Sequence, residues 1–161
     1  MFIAMAGAQL DLNTGMTTAS TPIDHPDAHF LAPLFVQTLA RQTLVDPLFA
    51  PVMRGAADSL GKLVDRKGIP LQDPARRPKG GSFLVLCGLL YHRGQGEADR
   101  LCIPAGGGLQ EQVLRECHDG PLGGHFGRSM TSSLVRRFAF WVGQDFEVAE
   151  YVRSCQCQTC Q

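Results

Sequence analysis

The sequence predicts a mainly α-helical chain with a small antiparallel β element. Three observations carry this. Apolar residues recur at three- and four-residue spacing from Phe30 to about Val64 and again from Leu109 to Val152. Between these stretches lie short β-prone runs separated by Gly-containing turns. Glycine (18) and proline (10) are generous for 161 residues, so a modest core carries substantial loop.

The first helical region reads as a hairpin. Leu31, Leu34, Phe35 and Leu39 mark one face. The pattern restarts at "VDPLFAPVMRG", where Asp46 can cap and Pro47 suits a first helical position. Leu60 and Val64 extend the face until Lys67-Gly68 stops it. We expect residues 1–28 to be a polar, disordered tail, 29–69 a helical spacer, and 70–82 a Pro/Gly-rich linker with a small basic run at Arg76, Arg77 and Lys79.

Residues 83–161 read as one unit, with short strands over 83–104 and a helical module over 105–161. The strands are expected at Phe83–Leu86, Leu89–His92 and Arg100–Ile103, with Cys87 and Cys102 as buried structural thiols. "GLQEQVLRECH" places Leu109, Val113, Leu114 and Cys117 on one helix face. "SMTSSLVRRFAFW" puts Met130, Leu134, Phe138 and Trp141 on a stripe with Ser129 as cap. The aromatic and β-branched residues of "FAFWV" leave a strand as the alternative there. "QDFEVAEYVRS" gives Phe146, Ala149 and Val152 one side, capped by Asp145.

Formal net charge is zero, so no global field draws the chain to nucleic acid or membrane, and such binding needs a local patch. The longest apolar run, "FLVLCGLLY", falls far short of the roughly 20 residues that span a bilayer. The N-terminus lacks a basic n-region, so a signal peptide is not expected. An intracellular protein of nucleus or cytoplasm, with no membrane partner, is the expectation. There, six cysteines point to metal or redox chemistry rather than crosslinks.

His118 and His125 bracket the turn "DGPLGG" as H-x6-H, and Cys157 and Cys160 follow as C-x2-C in "YVRSCQCQTCQ". Two imidazoles and two thiolates are the composition of a structural zinc site. A C-x2-C turn aims two sulfurs inward from one loop, and histidines flanking a turn can converge on the same point. With four protein donors no position stays open for water, so catalysis at the metal is not expected. A unit of about 60 residues buries only about 60% of its unfolded surface, and structural zinc contributes on the order of 10 kcal/mol to such domains. A redox role fits less well, because thioredoxin-like pairs sit at a strand-to-helix junction and these cysteines follow a helix.

"LCIP", "ECHDGPLGGHFG", "TSSLVRRFAFWVG" and "VAEYVRSC" resemble, in order, the segments of the zinc-binding domain at the N-terminus of integrases from gypsy-type LTR retrotransposons. The resemblance covers Phe83 to Gln161. It implies a helical fold of the integrase N-terminal type, a His-His-Cys-Cys zinc site holding His118 and His125, contact with DNA, and help in assembling integrase subunits. Counted from Trp141, the family's first cysteine falls on Cys155 and its second on Gln158. The ending "CQTCQ" instead matches Cys157 and Cys160, which is the preferred pair because it keeps the C-x2-C spacing, with Cys155 as the alternate ligand. Met130 stands where the family commonly has Lys, and Val142 where it has Pro. The family's catalytic core, with its three acidic ligands, has no counterpart here, so the chain is expected to be no enzyme.

Two functions follow. As a nucleic-acid-associated domain, it would use Arg128, Arg136 and Arg137, from a block that holds no acid, with Arg153 also near the site. As an assembly module, it would present Phe126, Phe138 and Phe140 to a second subunit.

Overall fold

The computed structural model describes residues 33–56, 61–72, 78, 81–94, 98–121 and 123–157. The 1–28 tail, Leu60, Arg76, Arg77, Lys79 and Cys160 lie outside the described residues. Along the chain come α1 (Pro33–Thr43), α2 (Ala50–Gly55), β1 (Leu63–Val64), β2 (Ser82–Leu86), β3 (Leu89–Arg93), β4 (Arg100–Cys102), α3 (Leu109–His118), α4 (Arg128–Phe138), β5 (Ala139–Phe140) and α5 (Gln144–Ser154).

The centre is a five-stranded sheet in the order β1-β2-β3-β4-β5. This corrects the expected fold class, mainly α with a small antiparallel element. The sheet is mixed, because β5 runs parallel to β4, with Leu101 opposite Ala139 and Cys102 opposite Phe140. The two outermost strands explain the difference. Each is two residues long, too short for a period-2 pattern to register, and each exists because a neighbour supplies its partners. Val64, read from sequence as the end of a helical face, instead pairs with Phe83.

β2 and β3 form a hairpin closed by Cys87 and Gly88, both at positive φ (49° and 76°). Two such residues make the left-handed loop whose twist matches a hairpin. Cys87 is therefore exposed at a turn tip, contrary to expectation, while Cys102 is buried. Burial pushes the Cys102 thiol well above its ordinary pKa.

Side chains alternate across the sheet with period 2. Leu89, Leu101, Ile103 and Ala139 join one core with Phe35 and Leu39 of α1, Leu109, Val113, Leu114 and Cys117 of α3, Val135 of α4 and Val148 of α5. Leu90, Cys102, Phe83 and Val85 enter a second core on the opposite face, with Phe49 and Val52. The helices α3 and α4 thus form the crossover between parallel strands β4 and β5, as such strands require.

Two helix faces differ from the sequence reading. On α4 the buried residues are Thr131 and Val135, while Met130 is exposed. Trp141 is buried, but beyond β5 rather than on the helix, and its Nε1–H donates to Glu147 Oε2 at 3.0 Å. On α5, Gln144 and Val148 are buried and Phe146 is 70% exposed. Gly143, at φ 87°, opens that helix in place of an Asp145 cap, because the chain turns there through the left-handed region.

Candidate metal centre

The turn between α3 and α4 folds back on itself. The His125 N–H donates to the His118 carbonyl at 2.9 Å, and the Gly123 N–H to Gly120 at 2.9 Å. Gly123 lies so close to the end of α3 that a Cβ there would meet the Cys117 carbonyl oxygen and the His118 backbone. His125 itself takes φ 54°, a conformation uncommon for a side-chain-bearing residue.

This fold brings the two imidazoles edge to face, with ring centroids 5.1 Å apart. His118, at the end of α3, has no exposed surface. Cys155 arrives from the C-terminal end of α5, its Sγ 3.5 Å from His125 Nδ1. Donor atoms of His118, Asp119, His125 and Cys155 all lie within 4.8 Å of one another. The structure thus brings His118, His125 and Cys155 together. Cys157 is half-buried and outside that group, and Cys160 is not among the described residues.

The donor set fits zinc. With Zn–S of about 2.3 Å and Zn–N of about 2.05 Å, a tetrahedral site separates sulfur from nitrogen by roughly 3.6 Å. The Cys155–His125 separation of 3.5 Å already matches that edge.

Asp119, Tyr151 and Thr131, none of them singled out by the sequence reading, complete the surroundings of the histidines and Cys155. Tyr151 donates its hydroxyl to Asp119 Oδ2 at 2.6 Å. Burial, then the Asp119 carboxylate, push its pKa up to about 12, so the phenol keeps the proton it donates. The Tyr151 ring also meets His118 edge-on at 5.8 Å. Asp119 Oδ1 lies 3.7 Å from His125 Nδ1. Thr131 Oγ1, wholly buried, lies 3.2 Å from His118 Nδ1. Asp119 adjoins His118 in the sequence and was within reach of a motif reading. Thr131 and Tyr151 come from helices whose docking no spacing rule encodes.

Of the basic residues, Arg128 and Arg136 line one open groove of about 490 Å³ with Ser129, Ser132, Ser133 and Asp145. Arg136 is paired with Asp145, which also accepts from the Ser132 hydroxyl at 3.1 Å. Arg137 is exposed but does not line that groove. Of the aromatics read as partner-facing, Phe126 is exposed, while Phe138 and Phe140 pack against the two cores. Among the described residues no helix is long and apolar enough to cross a membrane.

A family model described as the integrase zinc binding domain matches residues 107–161. The chain is similar to the gypsy retrotransposon integrase-like protein 1 of Macaca fascicularis, with 30% identity over 91 residues, 56% of this chain and 17% of that protein. The Bos taurus and Homo sapiens proteins of that name are 40% identical over 50 residues, 30% of this chain and 10% of theirs. The chain thus spans a small fraction of these relatives. No solved structure matches it. The matched segment begins just before α3 and contains every donor of the cluster, so residues 107–161 carry an integrase zinc-binding domain, similar to that of the gypsy integrase-like proteins, and zinc is the metal that such a domain implies.

Proposed function

We propose that this domain is a zinc-locked, nucleic-acid-associated module of an integrase-like protein, with the outer face of α4 as its contact surface. In this reading His118, His125 and Cys155 bind the zinc and Cys160 closes the set. The metal is structural, with no catalytic role in the described segment. It fastens the end of α5 to the α3–α4 turn and so fixes α4.

The observation that carries the reading is the groove along α4. Arg128, Ser132 and Arg136 recur at four-residue spacing, so they share one helix face, and Ser129 and Ser133 flank them. Guanidinium and hydroxyl groups all donate to phosphate oxygens, which position a protein without reading bases. Zero net charge and the Asp145–Arg136 pair favour weak, salt-sensitive association. The test is binding of the zinc-loaded chain to a short DNA duplex across salt concentrations. Wild-type affinity should fall with salt, and Arg128→Ala with Arg136→Ala should weaken binding and flatten that dependence. Equal affinity in the double variant would remove the proposed surface.

A second reading, assembly through self-association, is favoured by the exposure of Phe126 and Phe146. Zinc-dependent dimerisation lost in Phe126→Ser or Phe146→Ser, without DNA binding, would support it instead.

A further inference from the structure

We infer that Thr131 is a positioning residue for the zinc site: its hydroxyl fixes the tautomer of His118 and thereby commits Nε2, not Nδ1, to the metal. The inference rests on the proposed role of His118 as a ligand.

A threonine hydroxyl has one proton to give and lone pairs to accept with. Thr131 Oγ1 lies 3.0 Å from the Phe126 carbonyl oxygen, which can only accept, so the proton points there. The same oxygen lies 3.2 Å from His118 Nδ1. With its proton already given to Phe126, Oγ1 is left to accept, and Nδ1 must carry the hydrogen between them. A neutral imidazole then has its lone pair on Nε2. Thr131 and His118 have no exposed surface, so bulk water cannot take the place of this hydrogen bond.

The hydroxyl also ties the two elements that flank the turn. Its acceptor, Phe126, follows His125, and Thr131 sits in the first turn of α4. One side chain therefore sets the ring of the first histidine and holds the strand of chain carrying the second. Groups that hydrogen-bond the distal nitrogen of a metal-binding histidine fix its orientation and raise its basicity, and their removal costs about 10- to 100-fold in metal affinity.

The test has two arms on the full chain. Long-range proton–nitrogen NMR of the imidazole rings, with and without zinc, reads which nitrogen carries the proton. A proton on His118 Nδ1 with zinc shifting Nε2 is the expected result. Zinc on Nδ1 overturns the inference while leaving His118 a ligand. No zinc-induced shift at either nitrogen overturns the ligand assignment itself. In the second arm, zinc affinity is measured by chelator competition. Thr131→Val, which keeps the shape and removes the hydroxyl, should bind about 10- to 100-fold more weakly, and Thr131→Ser should restore wild-type affinity. Wild-type affinity in Thr131→Val overturns the inference. The NMR arm uses the unaltered chain and decides the matter even if that variant fails to fold.

Discussion

Asp46 Oδ2 accepts the backbone N–H of Ala105 at 3.1 Å, a contact across 59 residues of chain. Its other oxygen accepts the N–H groups of Leu48 at 2.8 Å and Phe49 at 3.1 Å. One buried carboxylate therefore shapes the turn between α1 and α2 and fastens it to the segment leading into α3. Phe35 and Leu39 extend the link, since they share a core with Val113 of α3 and Val135 of α4, the helices on either side of the histidine turn. Removing this acceptor should be costly, because hydrogen bonds to a charged group contribute about 1.5–3 kcal/mol each and buried donors left unmatched cost more. We predict that Asp46→Ala lowers unfolding stability by about 2 kcal/mol or more, seen as a lower urea midpoint. An unchanged midpoint would mean that this link carries no load.

The cysteine cluster yields a sharper expectation. Cys155 Sγ sits against His125 Nδ1, whereas Cys157 lies outside the donor group. Elemental analysis should find one zinc per wild-type chain. Cys155→Ser, Cys160→Ser and His125→Ala should each lose it, and Cys157→Ser should keep it. Because structural zinc contributes on the order of 10 kcal/mol, chelation should also lower the thermal midpoint steeply in wild type. Zinc retained in Cys155→Ser and lost in Cys157→Ser would place the ligand pair at Cys157 and Cys160.

What could be read from sequence divides along physical lines. β2, β3, β4, α3 and α5 lie close to where periodicity and turn residues put them, because each carries its own signal. β1 could not be read, since two residues become a strand only beside a partner, and β5 was visible only as the strand alternative that "FAFWV" left open. On the α4 stripe, Leu134 and Phe138 pack against the core as the spacing places them, and Met130 alone departs from it. Met130 continues the apolar spacing yet faces solvent, because Thr131 is drawn inward by its bonds to His118 and Phe126. The two histidines that the turn brings together were readable as a candidate pair because metal chemistry restricts residue type. The choice among three cysteines depends instead on where α5 ends, and helix ends are the least legible feature of a sequence.

The tight turn between the histidines should tolerate no side chain at Gly123. A Cβ there would meet backbone atoms of Cys117 and His118, which cannot rotate away as a flexible side chain would. Gly123→Ala must therefore displace the loop that delivers His125. We expect weaker zinc binding in this variant by chelator competition, with the β2–β3 hairpin unaffected in amide exchange. Gly88→Ala serves as the comparison. It has open space around it, carries only the strain of a positive φ, and should leave zinc affinity unchanged. Equal zinc affinity in Gly123→Ala and wild type would show that the loop can open without moving His125.

Asp145 should couple stability to DNA binding with opposite signs. Arg136, and then the Ser132 hydroxyl, hold its carboxyl below the ordinary value against a smaller opposing effect of burial. A depressed folded value stabilises the native state above the unfolded pKa of about 3.9 and ceases to do so as pH falls through the folded value. Both side chains are 52% exposed, so the contribution is screened and stays below about 1 kcal/mol. Asp145→Asn should therefore be less stable than wild type at neutral pH by no more than that, and the gap should close in acid, measured by denaturation at several pH values. The same change removes a negative charge from the α4 groove and releases Arg136. DNA affinity should rise, and its salt dependence should steepen by roughly one phosphate contact. A variant that loses stability without gaining affinity would indicate that Arg136 serves the fold alone.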